Sequence, residues 1–337
     1  MVATTYNSIS QRTVTYAEVK MLEYAEPILV LEKFADVKPL PKNKADTITF
    51  RRPIPFNVEP TELVEGVTPP AQQMQYEDVS VRLGQYGNVI EISDRVADLC
   101  EDPVLNDAAK MAGEQAAETK ELICWGAFRA GTNVTYAPTA TATARTDVAA
   151  PISLNIQRAI TRSLHEQRGR YINEVLSASP NFATEPVRQG YVAVGHTDLE
   201  ADIRGLPGFV PTESYGSAGQ TIHEMELGKV ENVRYVLSPV LEPFRGAGAA
   251  VAATGLLDTG GNVDVYPILY MARHAVGVVP LKGQGSMSPS VINPDQRDKS
   301  DPLGQRGLVG WKMYFAALIL NEAWINRAEV GATDLLA

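Results

Sequence analysis

The sequence predicts a mixed α+β protein, and three features carry that reading. Two alternating runs flank a polar, proline-rich segment, Val58–Gln75; a long alanine-rich stripe follows at helical spacing; and from Tyr171 onward short apolar runs alternate with Gly/Pro turns. At 337 residues the chain can bury a sizeable core in one large domain or two closely joined ones.

Met1–Leu40 reads as an arm without a compact core of its own. A short helix is expected around Tyr16–Glu26, ended by Pro27, then apolar Ile28–Leu31 and the loop Pro39-Leu40-Pro41. In Asp46–Phe56 the residues Ile48, Phe50, Ile54 and Phe56 share one parity, as in a half-buried strand. Pro53 and Pro55 cannot donate to a ladder, so the strand should lie at an edge. Val79, Val81 and Leu83 repeat the alternation, and past Gly84-Gln85-Tyr86-Gly87 the apolar parity moves to Ile90 and Ile92. A shift of one residue beside glycines predicts a bulge or bend. Together these runs predict a long protruding hairpin.

Asp102 as N-cap and Pro103 at the first helical position open a helix predicted to about Arg129, with Gly131 as its stop. Leu105, Ala108, Ala112, Ala116, Thr119 and Ile123 form its stripe, and its length would be ~40 Å at 1.5 Å per residue. So many alanines on one stripe imply close packing against a sheet or helix. Thr132–Ala150 is a low-complexity loop. Ile152–Gln167 is a second amphipathic helix through Ile152, Ile156, Ala159, Ile160 and Leu164. Gly190–Val194, Val233–Leu237, Val263–Tyr270 and Val276–Leu281 are the apolar runs of an α+β region; Gly283–Pro302 reads as a polar loop, and Leu308–Val330 is nearly continuous apolar sequence.

Composition narrows the function. Hydrophobic residues are 45% and charged residues 21%, with a formal net charge of −10. No run approaches the ~20 apolar residues of a membrane span. The polar start, Met1–Arg12, lacks a signal-peptide core, which predicts a cytoplasmic product. Cys100 and Cys124, without CxxC or Cys/His spacing, argue against a disulfide framework. Acidic residues far outnumber basic ones between Asn57 and Gly126, whereas Lys33, Lys38, Lys42, Lys44, Arg51 and Arg52 cluster before them. That asymmetry suits surfaces that meet complementary surfaces on identical copies and does not suit a tight nucleic-acid binder.

Candidate chemistry is sparse. His165, His196, His223 and His274 are scattered, and His223-Glu224-Met225-Glu226 lacks a second His for a metal. Gly246-Ala247-Gly248 begins like a dinucleotide-binding turn, but Val251 stands where the third small residue is needed, so a flexible loop is the better reading. Glu77-Asp78 and Glu101-Asp102 are explained by capping and solvation. No phosphate loop or nucleophile elbow is present. No catalytic residue, cofactor or metal is expected, which favours a structural role over an enzyme.

Several segments, in order along nearly the whole chain, resemble the major capsid proteins of tailed phages of the Schitoviridae (N4-like podophage) type. They are Leu40-Pro41-Lys42-Asn43-Lys44 before Thr47–Arg52; Leu63-Val64-Glu65-Gly66-Val67-Thr68-Pro69; Gln85-Tyr86-Gly87 leading to Ile92-Ser93-Asp94; Asp301–Gly307; Gly310-Trp311-Lys312; and Ile319-Leu320-Asn321-Glu322. The resemblance implies the Hong Kong 97-type capsid fold: an N-terminal arm (1–45), an extended hairpin loop (46–93), a peripheral domain with the spine helix (94–150 and 286–337), and an axial domain (151–285). It also implies an icosahedral shell of hexamers and pentamers around double-stranded DNA, in a virion assembled in the bacterial cytoplasm. A portal, decoration proteins and a scaffolding protein are expected partners, the last because no long helical prodomain precedes the arm.

Some members of this fold cross-link through a Lys–Asn bond at the hairpin tip; Asn57–Gln75 contains no lysine, so the shell should be held non-covalently. Arg51 and Arg52 on the hairpin strand and Glu62 and Glu65 at its tip are the candidates for inter-subunit ion pairs. Two rival readings are an encapsulin-like compartment enclosing a cargo enzyme, and an α/β enzyme using the Gly246 loop for a nucleotide.

Overall fold

The computed structural model describes residues 29–337 apart from 57, 59, 61, 63–64, 67, 69–70, 95–103, 139, 177–183, 216–220, 251–254, 283–287, 293–302, 304 and 337. The helix expected over Tyr16–Glu26, Cys100 and the capping pair Asp102-Pro103 lie outside these residues.

The described chain opens with a strap. A 3-10 turn, Leu31–Phe34, buries Leu31 and Phe34, and β1 (Asp36–Val37) then lies parallel to β14 (Val276–Pro280). Next come β2 (Thr47–Pro53) and β3 (Tyr76–Arg82), antiparallel from Thr47↔Arg82 to Pro53↔Tyr76. Among the described residues they pair only with each other, which satisfies Pro53 because an edge position needs no N–H there. The expected hairpin ran to Ser93, but the ladder stops at Arg82. β4 (Gly84–Ser93) turns away to pair along its length with β16 (Arg306–Ile319). The parity change expected at Gly84 is therefore the point where the chain changes sheets: Val79 and Val81 are half-buried in the hairpin, while Ile92 is buried in the body. Gly87 fits here because a Cβ would sit 2.7 Å from the Trp311 carbonyl oxygen.

Helix α1 (Val104–Phe128) has 25 residues, about 37 Å at 1.5 Å per residue. Ala108, Ala112, Ala116, Cys124 and Phe128 face the core, joined by Ala109, Ala117 and Trp125. The buried face is rotated from the predicted stripe, since Thr119 and Ile123 are only half-buried while Lys120 and Glu121 are buried. Those two charges go inward because the strap supplies their partners. Helix α2 (Leu154–Glu166) starts at Ser153, whose side chain accepts the Ile156 N–H, and buries Ile156, Ile160 and Leu164. Ala159 is exposed, contrary to expectation, and Gln157 is buried. Gln157 tolerates burial because it donates to the Val230 carbonyl (2.9 Å) and accepts from the Tyr235 hydroxyl (2.7 Å).

Two sheets organise the body. The five-stranded sheet runs β1, β14, β16, β15 (Ser288–Ile292), with β4 also on β16. The eight-stranded sheet runs β5 (Val134–Tyr136), β17 (Ile325–Val330), β13 (Tyr266–Met271), β7 (Thr184–Gly195), β10 (Val233–Leu237), β9 (Glu226–Val230) and β8 (Phe209–Pro211), with β6 (Ile172–Leu176) on β7. In the eight-stranded sheet alternate residues enter two cores. Val192, Val194, Val236, Leu269 and Met271 pack on the side of α1, whereas Tyr191, Ala193, Tyr235, Ile268 and Tyr270 pack on the side of α2. A sheet covered on both faces explains why its strands read as continuous apolar runs. Each fully buried Val, Ile, Leu or Met among them is worth about 1.5–3 kcal/mol in transfer free energy.

Two expected loops contain structure. The polar stretch Gly283–Pro302 includes β15, recruited by the ladder Ser288↔Lys312 to Ile292↔Leu308, and Thr132–Ala150 includes β5 and a 3-10 turn, Arg145–Asp147. In both, pairing with a distant apolar strand overrides local composition. Sheet membership also crosses the expected domain limits, since β14 pairs with β16 and β17 pairs with β13.

Candidate assembly surfaces

The hairpin divides into a rooted base and a bare outer half. At the base Ile48, Phe50, Val79, Val81 and Leu83 pack against Leu40, Val279, Ala316 and Leu318. Further out Ile54, Phe56, Val58, Met74 and Tyr76 are exposed, Val58 to 76%. A run of large exposed apolar groups on a two-stranded edge is a surface that awaits a partner.

The hairpin is held in register by cross-strand ion pairs. Arg51 grips Asp78 through two bonds, Nε to Oδ1 at 2.8 Å and an Nη to Oδ2 at 2.9 Å, and Arg52 pairs with Glu77. Arg82 and Asp46 close the base at 2.9 Å. Hydrogen bonding to Arg51 draws the Asp78 carboxyl below its ordinary pKa, and the Thr47 hydroxyl does the same for Asp46 with help from Arg82. Arg51 and Arg52 are thus engaged within their own hairpin, and Glu77-Asp78, which sequence explains by solvation, are their partners. Glu62 and Glu65 stand exposed at the tip. A second exposed apolar set lies on the outside of the body, with Met111 and Leu122 on α1 and Val89 on β4. There the Asn88 side chain and the Trp311 indole N–H both donate to Gln115 Oε1.

The other candidates are structural. His223 accepts the Met225 N–H at Nδ1 (3.0 Å), and its Nε2 lies 3.2 Å from the Leu29 carbonyl oxygen. Among the described residues no group of three His, Cys, Asp or Glu could hold a metal. Gly246 donates its N–H to Asp264 Oδ1 at 2.6 Å, so the amide that would cradle a phosphate already serves a carboxylate. Part of the expected loop is anchored to the body: Gly248 N–H bonds to the Val263 carbonyl and Ala249 N–H to the Val148 carbonyl.

Sequence reasoning missed the buried charges. Glu329 on β17 is fully buried and takes a bidentate pair from Arg145, both contacts 2.8 Å, with Arg327 Nε also 2.8 Å away. Arg145 lies 3.5 Å over the Phe244 ring. On α1, Lys120 pairs with Glu32 of the strap, and Glu121 accepts the Leu31 N–H at 3.0 Å. A signal for Lys120 existed: it continues the four-residue step from Ala112 and Ala116 to Cys124.

Comparison with known proteins gives this architecture its place. At 13% identity the chain superposes on the capsid chain of Ralstonia phage GP4 with a TM-score of 0.63, covering 93% of this chain and 91% of that one. The cyanophage Pam1 capsid gives 0.59 at 13% identity, with 92% of each chain covered. These likenesses establish the fold, the Hong Kong 97-type arrangement that the resemblance implied. A major capsid protein of Pseudomonas phage KPP21 is 28% identical over 131 residues, 37% of this chain and 33% of that protein, so the match spans about a third of the relative's length. The model of the phage capsid protein family matches residues 76–325, most of the chain from β3 to the start of β17, and the chain belongs to that family.

Proposed function

We propose that the chain is the major capsid protein of a tailed phage, self-assembling as hexamers and pentamers into the icosahedral shell around double-stranded DNA. The observation that carries this reading is the hairpin: its outer half exposes Ile54, Phe56, Val58, Met74 and Tyr76, which pack into no core cluster of the described residues. A monomer gains nothing from such a projection. In a shell every hairpin lies on a neighbouring copy, and burial offsets the entropy of ordering it. Pro53 and the charged pairs on the strands limit premature edge-to-edge pairing.

Within this reading the strap and the residues before it are the arm, the five-stranded sheet with α1 is the peripheral domain, and the eight-stranded sheet with α2 is the axial domain. Arg51 and Arg52 act in assembly as neutralised pairs that keep the hairpin straight, and Glu62 and Glu65 are left to meet a neighbour. The role is structural and not enzymatic. The ordered motifs from Leu40-Pro41-Lys42 to Ile319–Glu322 support the N4-like podophage subtype, in which a scaffolding protein, a portal and decoration proteins would be partners and the bacterial cytoplasm the site of assembly.

Negative-stain electron microscopy of the purified protein, with and without its scaffolding candidate, tests the proposal. Closed shells or capsomer rings are expected; monomers or small dimers under every condition would overturn it. Denaturing gels of the shells should show one band of monomer size, because Asn57–Gln75 offers no lysine for a cross-link.

A further inference from the structure

The strap is fastened to α1 by charges that a protein interior ordinarily excludes. Lys120 and Glu121 are both buried on the helix, and Glu32 is buried opposite them on the strap. Glu121 receives the N–H groups of Val30 (3.3 Å) and Leu31 (3.0 Å), Lys120 pairs with Glu32, and the Lys120 ammonium also sits 5.0 Å over the Phe315 ring. The Cys124 thiol completes the surroundings from the next helical turn, itself fully buried. Lys33 and His223 lie at the strap's outer end, where Lys33 acts on the imidazole.

Among the described residues, counted as ordinary ionised groups, two buried carboxylates share a single buried ammonium. Such an excess of charge is costly, and the usual remedy is to keep a proton. The backbone N–H groups on both Glu121 oxygens favour its ionised form, whereas Glu32 Oε1 is buried without a donor among the described residues, an acceptor for which a proton between the carboxylates would serve. We propose that the strap is a proton-dependent latch, in which Glu121 keeps its proton while the strap is seated and loses it to solvent when the strap lifts.

The direction of the pH effect follows. Burial pushes Glu121 up to about 8, reinforced by Glu32 and opposed by the two backbone N–H groups and Lys120. Once the strap lifts, the carboxyl returns toward the ordinary value of 4.5 and ionises. Opening therefore releases one proton between roughly pH 4.5 and pH 8. The latch is tightest in acid, weakens about tenfold per pH unit across that window and stays loose above it. At the far end of the strap His274 Nδ1 lies 2.6 Å from Asp36, a hydrogen bond that a neutral imidazole can also donate. To separate the two, the test uses Glu121.

Hydrogen exchange read by mass spectrometry on the full chain, from pH 5.5 to 8.5, makes the measurement, with the intrinsic base-catalysed rate divided out. The protection of peptides covering 29–34 should fall about tenfold per pH unit, while a β13 peptide (Tyr266–Met271) keeps its protection. In Glu121→Gln, a neutral isostere, the slope at 29–34 should vanish. A flat wild-type profile would overturn the latch whether or not the variant folds. So would equal slopes in wild type and Glu121→Gln, or a parallel fall at β13, which would mean that the whole chain opens. The result is independent of whether the chain forms shells.

Discussion

Replacing Glu329 by Ala should be among the most destabilising single changes in this chain. Its carboxylate is fully buried on β17, between Tyr136 of β5 and Pro267 of β13, and it compensates two guanidinium groups. Arg327, whose side chain is 10% exposed, would keep its bonds to the Arg129 and Gly131 carbonyls but lose its counter-charge. Breaking a buried pair from one side costs about 3–5 kcal/mol, because the remaining charge is left uncompensated. Arg145→Ala acts on the same cluster from the other side but should cost less, about 1–2 kcal/mol, since Arg145 is a third exposed and Arg327 still neutralises Glu329. Urea unfolding followed by tryptophan fluorescence gives both numbers. With a slope of about 3 kcal/mol/M, Glu329→Ala should lower the midpoint by about 1–1.7 M and Arg145→Ala by about 0.3–0.7 M. A loss under about 1 kcal/mol for Glu329→Ala, or equal losses for the two variants, would refute the argument from uncompensated charge.

Phe56→Ser should leave the melting temperature of the free subunit unchanged and abolish closed shells in the microscope, because Phe56 touches solvent until a neighbour arrives. Gly246→Ala should lower stability by about 1–3 kcal/mol in thermal melts, since φ is +59° and a Cβ would sit 2.8 Å from the Thr259 carbonyl oxygen. The Cys124 peptide should escape alkylation in the native protein and react fully in urea; burial holds the thiol well above its ordinary pKa, which denies the reagent both access and thiolate.

The elements that sequence made legible are those governed by local period. Alternation at Ile48/Phe50 and Val79/Val81 located both hairpin strands, and the stripe at Ala108/Ala112/Ala116 located the helix, because side-chain period follows directly from backbone geometry. What stayed hidden depends on partners far along the chain. β15 forms because β16 offers it a ladder, and Lys120 and Glu121 turn inward because a segment about 90 positions earlier brings Glu32 and two free N–H groups. The hairpin's charge pairs were half legible in the sequence. Charge pattern singled out Arg51 and Arg52, but their partners, Asp78 and Glu77, became visible only with the register. Their exposed pairs contribute little to stability and instead fix which residues face each other.

β16 shows why so projecting a chain can still have one body. Over its 14 residues it pairs with β4 on one side for most of its length, and on the other with β15 through Leu308–Lys312 and then with β14 through Phe315–Ile319. The root of the hairpin, which continues into β4, and the strap, which continues through β1 to β14, therefore hang from the same strand. A force on the outer hairpin is carried by the β4–β16 ladder into the strand that also holds the strap's neighbour. Among the described residues, β8 at the far edge of the eight-stranded sheet pairs only with β9. If hairpins bear the load between copies, protection against hydrogen exchange in assembled shells should rise first along β2, β3, β4 and β16, and β8 should change least. An equal rise at β8 would show that load passes through the eight-stranded sheet instead.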